Sequence, residues 1–139
     1  MIQNKRQYNV TLKQIETLSE GLKAALREKS DMDPRLHKAM VAGIRSQIDD
    51  LQQEVREFEE LQNASLLHIK SSGDFARILI QGRLARGLTQ NELARKLKLK
   101  PQQIQKYEAT QYRSASLKRI LGVLAALELD FKADIPLKK

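Results

Sequence analysis

The chain contains no cysteine and no tryptophan, and only three phenylalanines and three tyrosines among its 139 residues. Without thiols, disulfides and thiolate metal sites are excluded. No run approaches the ~20 consecutive apolar residues that span a bilayer. The polar stretch from Met1 to Val10 holds no apolar core of a secretory signal. These absences predict a soluble, cytoplasmic protein that does not enter membranes. The six glycines are scattered, so no glycine-rich phosphate loop exists. The two histidines, His37 and His68, lie far apart with no carboxylate at metal-ligand spacing, and read as ordinary surface or interface residues. No serine, lysine or glutamate sits where a neighbour would activate it as a nucleophile. The expectation is a protein with no catalytic residues, no metal and no cofactor.

What is present is positive charge, unevenly placed. The net charge is +8; residues 1–66 carry 10 Lys+Arg and 11 Asp+Glu, whereas residues 67–139 carry 15 and 6. The whole excess sits in the second half. Such asymmetry predicts two functional segments, the second of which meets a polyanion.

In the first segment, Tyr8, Leu12, Ile15, Leu18, Leu22, Ala25 and Leu26 recur every three or four residues and predict a helix from Lys5 to Lys29. Ser30 to Pro34 interrupts it, with Asp33 as N-cap and Pro34 at the first helical position, where its missing N–H is harmless. A second helix is predicted to about Ala64. Its Val41, Ile44, Ile48, Leu51, Val55 and Phe58 form an a/d seam. Two helices joined by a short turn make an antiparallel hairpin of coiled-coil character over residues 1–66. One seam alone is marginal, so this seam is read as a dimerisation or partner-binding surface.

Residues 67–73, including Ser71-Ser72-Gly73, read as a hinge. From residue 74 four short helices follow. Asp74 caps the first, Gly87 ends it, Thr89 caps the second, Pro101 opens the third and Ser116 caps the last. Beyond residue 129 the period changes. Leu129, Phe131, Ala133 and Ile135 alternate with Asp130, Lys132 and Asp134, which predicts a short C-terminal strand within 130–139, pairing with a second copy or another protein, the alternative being a frayed terminus. The fold class is therefore all-α: a helical hairpin, then a domain of five helices or fewer over residues 74–129, then that strand.

Within this domain, Gly87-Leu88-Thr89-Gln90 leads into Leu93-Ala94, then Leu97 and Leu99, then Ile104 and Tyr107-Glu108. Ala94 is small where the next helix must cross closely. Leu93, Leu97, Leu99 and Ile104 supply the wedge that sets a steep interhelical angle. With Leu117, Ile120, Leu121, Leu124 and Leu127 following, the stretch from Arg83 to Glu108 closely resembles the phage-repressor (Cro/CI, or Xre) helix-turn-helix family. The resemblance covers residues 74–129. It implies a double-stranded DNA partner, a phosphate grip by Gln90 and a buried ion pair between Arg83 and Glu108. The family usually has glycine in the turn where this chain has Lys98.

The second helix of such a pair enters the major groove with its N-terminal residues on base edges. Here those are Gln102, Gln103 and Lys106, with Pro101 able to offer only apolar contact. Glutamine can pair with adenine, and lysine with guanine acceptors. Thr89, Asn91, Lys100, Tyr112, Arg113 and Ser114 are read as phosphate contacts flanking that helix. Tyr107 reads as core. Lys70, Arg77, Arg95, Lys118 and Arg119 add positive field. The expected function is a sequence-specific transcriptional regulator, a repressor, acting as a homodimer at the nucleoid. Dimerisation is left open between hairpin, strand and both. The alternative is an antitoxin that neutralises a partner toxin and represses its own operon.

Overall fold

A computed structural model describes residues 1–28 and 31–138. The expected end of the first helix at Lys29, and Ser30 in the turn, lie outside the described residues. The elements are α1 (Lys5–Arg27), α2 (Pro34–Gln62), a 3-10 turn (Ser72–Asp74), α3 (Phe75–Ala85), α4 (Gln90–Leu97), α5 (Pro101–Ala109) and α6 (Leu117–Ala126). The chain divides into two compact units, Met1–Leu61 and Gln62–Lys139. No helix among the described residues is long and apolar enough to cross a membrane.

In the first unit, Asn4 caps α1 by accepting from the Gln7 N–H. Asp33 Oδ1 accepts from the Arg35 N–H at the start of α2, which satisfies one of that helix's orphan donors. Two ties near opposite ends define the antiparallel hairpin. At one end Tyr8 stacks on Phe58 with centroids 5.1 Å apart, and its hydroxyl donates to Glu59 Oε1 at 2.6 Å. At the other, His37 Nε2 lies 2.9 Å from the Ala25 carbonyl oxygen. On the a/d seam, Ile48, Val55 and Phe58 are buried, and Val41, Ile44 and Leu51 half-buried. Phe58 thus packs inside its own hairpin. Beside the seam, and reaching it at Leu51, Val10, Lys13, Gln14, Thr17 and Leu18 of α1 and Gln47, Asp50 and Leu51 of α2 border an open groove of about 740 Å³.

The second unit is built on leucine and isoleucine. Leu79, Leu93, Ile104, Val123 and Leu127 are sealed from solvent. Its four helices end alike, each in a left-handed residue followed by an N–H that reaches back to the last turn. Gly87 adopts this conformation after α3, Lys98 after α4, Gln111 after α5 and Glu128 after α6. The returning bonds run from Leu88 N to Arg83 O, Leu99 N to Ala94 O, Tyr112 N to Tyr107 O and Leu129 N to Leu124 O.

The C-terminal strand is not there. No strand occurs among the described residues, and 129–138 are irregular. The alternation at the start of the tail has another use. Leu129 lies over Gly82, its Cδ1 only 2.6 Å from where a Cβ would stand, and the Phe131 ring meets Phe75 edge-on at 5.3 Å. Both side chains thus reach α3, and no neighbouring extended backbone offers a ladder. Past them, Ala133, Ile135 and Leu137 are exposed. Arg86 also fastens this region, donating to the Leu127 and Glu128 carbonyls at 2.8 Å each.

Candidate nucleic-acid interface

The geometry of this site starts at the caps of α4 and α5. Thr89 and Glu92 form a reciprocal capping box. The Glu92 N–H donates to Thr89 Oγ1 at 3.1 Å, and Glu92 Oε2 accepts from the Thr89 N–H at 2.7 Å and its hydroxyl at 2.9 Å. These bonds, first the one from the backbone N–H, hold the Glu92 carboxyl below the usual glutamate range, helped by the charge of Arg95. The Thr89 hydroxyl therefore has a structural task. It both accepts and donates within the box.

The turn to α5 passes through Lys98 at φ 55, ψ 42. Its strain is roughly 1–2 kcal/mol for a residue with a Cβ. Lys100 then caps α5 from outside, and Pro101 stands at the first helical position. The Lys100 N–H donates to Gln103 Oε1 at 3.1 Å. Ile104 and Glu108 turn inward, while Gln102, Gln103, Gln105 and Lys106 are exposed and Pro101 is half-buried. Gln102, Gln103 and Lys106 thus share the outer face of α5, one turn apart at most. Ile104, together with Leu93 and Ala94 of α4, is sealed from solvent.

Behind α5 lies a buried polar cluster. Arg83, 2% exposed, donates from Nε to Glu108 Oε1 at 2.6 Å and from Nη2 to Glu108 Oε2 at 3.0 Å. A third donor, Nη1, reaches the Leu88 carbonyl at 2.8 Å. Gln90 Nε2 completes the carboxylate's shell at 2.7 Å from Oε2. One cluster therefore ties α3, the α3–α4 turn, the first residue of α4 and α5. Bidentate geometry with filled hydrogen-bond positions is what makes a buried pair tolerable.

Tyr112 is not where the sequence reading put it. It is 3% exposed, not on the rim, and its ring lies nearly parallel to Tyr107 at 5.8 Å. Consecutive left-handed residues, Gln111 and Tyr112, turn it inward after α5. The apolar contact that accompanies this helix ending joins the residues at the positions of Tyr107 and Tyr112. Its hydroxyl has no hydrogen-bond partner among the described residues. Burial, then the nearby Glu108 charge, pushes the phenol well above the ordinary tyrosine range.

The other predicted contacts remain outside. Asn91, Lys100, Arg113 and Ser114 are exposed, with Ser114 Oγ 3.2 Å from Thr110 Oγ1. Gln90 is half-buried, one end of its carboxamide engaged with Glu108. Sequence reasoning did not find this tie, nor the Gln103 cap.

Residues 79–132 match the helix-turn-helix family. This segment is a helix-turn-helix DNA-binding domain of the phage-repressor type, the kind that regulates transcription. No curated protein and no solved structure matches the chain.

Proposed function

We propose that the protein is a sequence-specific regulator that binds double-stranded DNA through α5 and represses transcription as a dimer. The observation that carries this is the outer face of α5. Three long polar side chains, Gln102, Gln103 and Lys106, stand exposed there on a helix whose other face is sealed by Ile104 and Glu108. Such a face offers donors and acceptors to base edges without disturbing the core. Gln90, with one N–H of its amide on Glu108, keeps the other for a phosphate oxygen at the positive end of α4. Asn91, Lys100, Arg113 and Ser114 add backbone contacts.

Two recognition helices set ~34 Å apart read a palindrome. The hairpin supplies a reason to dimerise. The first half of α2 carries Arg35, Lys38 and Arg45 and no acid, whereas its second half carries Asp49, Asp50, Glu54, Glu57, Glu59 and Glu60 with only Arg56. Antiparallel pairing of two such helices sets unlike charges against each other. The groove beside α2 adds apolar surface to cover.

Selection of bound sequences from random duplex DNA tests the reading. The full chain should enrich a two-fold symmetric site, and replacing Gln102, Gln103 and Lys106 with alanine should abolish that preference while the helical content is kept and the unfolding temperature falls only by the lost Gln103 cap. Retained selectivity in the triple variant would place recognition elsewhere. Sedimentation tests the dimer. R35E/K38E should shift the chain toward monomer, and an unshifted dimer would remove the hairpin from the interface.

A further inference from the structure

Gly21 and Gly43 stand in the interiors of α1 and α2, where a residue without a side chain weakens a helix. Nothing within the hairpin requires either. Both are exposed, and a Cβ at either position would meet nothing within 4 Å among the described residues. Their levels coincide. Tyr8 lies beside Phe58 and Ala25 beside His37, and between these two ties the antiparallel register sets Gly21 alongside Gly43. Gly21 follows Thr17 by one turn and Gly43 precedes Gln47 by one turn, so both continue the line of the open groove that Thr17 and Gln47 border. Leu36 and Met40, exposed on the same line of α2, extend its apolar surface toward the hairpin turn.

We propose, resting on the dimer reading above, that a second copy of the hairpin lies face to face on this groove, with the two-fold axis crossing both helices at the level of the two glycines. An axis that runs across a pair of antiparallel helices lays each helix on its own copy, antiparallel. The residue at the crossing then meets itself, in both helices at once, and a missing side chain there lets the backbones come close. A glycine in one helix has many explanations; glycines at one level in both are what this symmetry asks for. The charges agree. Arg35 and Asp50 lie about two turns to either side of Gly43, so each Arg35 comes level with the partner's Asp50, at the rim of the groove. The contact belongs to the hairpin and uses no residue of the DNA-binding domain.

The chain has no cysteine, so one introduced at the crossing reports on it without background. In Gly43→Cys two copies of one position meet near the axis, within the ~4.4–6.8 Å between Cα atoms that a disulfide spans. Mild oxidation with oxidised glutathione should convert most of this full-length variant to a covalent dimer. Ala42→Cys, exposed and about 100° round the helix, should link roughly tenfold more slowly. The second variant carries Gly21→Leu and Gly43→Leu. Leucine is the better helix former and has open space within its own hairpin, so the fold is kept or strengthened. Sedimentation should nonetheless show dimerisation weakened by roughly tenfold or more. A wild-type dimer whose Gly43→Cys form links no faster than its Ala42→Cys form would overturn the proposal and move the dimer contact to another face. A dimer that the two leucines leave intact or tighten would do the same. A wild-type chain that stays monomeric at micromolar concentration would overturn the dimer reading as well, and leave the groove to a different protein.

Discussion

Gln90 Nε2 sits 2.7 Å from Glu108 Oε2, so the first residue of α4 is bound to the last turn of α5 through the same carboxylate that neutralises Arg83. The side chain proposed to hold a phosphate and the helix proposed to read bases are thereby fastened to one buried anchor. Displacing either disturbs the other.

That anchor makes a strong prediction. Glu108→Ala leaves the Arg83 guanidinium buried without its counter-charge, and removal of one partner of a buried pair costs about 3–5 kcal/mol. Urea unfolding of the full chain should show that loss in the transition of the second unit. A loss under ~1 kcal/mol would mean that Arg83 finds water or another acceptor. Gln90→Ala, by contrast, should reduce DNA affinity with a much smaller effect on unfolding.

Lys98 supplies a test of backbone strain. Glycine at this position relieves the left-handed conformation at φ 55, so Lys98→Gly should stabilise the domain by about 1 kcal/mol. Lys98→Ala keeps a Cβ and should give no such gain. The comparison of the two isolates the conformational effect from the lost charge. Equal behaviour of the two variants would argue against a strained turn.

At Tyr112 the hydroxyl is buried with no hydrogen-bond partner among the described residues, so removing it breaks no bond there. Tyr112→Phe should leave stability unchanged or raise it by up to ~1 kcal/mol, since burial of an unsatisfied polar group is unfavourable. The ring stack on Tyr107 survives in phenylalanine. Tyr112→Ala should destabilise by about 3–5 kcal/mol through the cavity it opens. A clear loss in Tyr112→Phe would reveal a bonded hydroxyl.

Acid should weaken the start of α4. Glu92 is held below its ordinary range in the folded chain, so its contribution is present above the unfolded glutamate value and is lost as pH falls through the lower folded value. Asp74 follows the same sign, lowered first by the Lys70 N–H and then by Arg77 and Ser71. Thermal unfolding followed downward from neutral pH should steepen in that acidic window, and Glu92→Gln should flatten part of the slope. An unaltered slope in the variant would mean the cap forms equally well with a neutral acid.

Most of the helix starts were legible because caps are local. Thr89, Ser116 and Pro101 stand where a side-chain oxygen, or a residue without an N–H, suits a helix N-terminus, and each opens a helix. Gly87 marked an end for the same reason. The ends near Lys98, Ala109 and Glu128 were also placed to within a residue or two, but the left-handed geometry at Lys98, Gln111 and Glu128 was not legible, because no residue there prefers that region. The tail misled. Leu129 and Phe131 carry a strand's alternation, but two residues spaced by two also suit a chain laid across α3.

Local chemistry along the chain determined the helical class, the division into a near-neutral and a basic segment, and the residues on the outer face of α5, because spacing and capping act within a few residues. Only the tertiary structure decided that Tyr112 turns inward, that Gln90 shares Glu108 with Arg83, that Gln103 closes the cap of its own helix and that the tail lies on α3 without forming a strand. Each of these depends on where a left-handed turn or a returning hydrogen bond points a side chain. A sequence states which groups are available to bond; the folded backbone selects which of them meet.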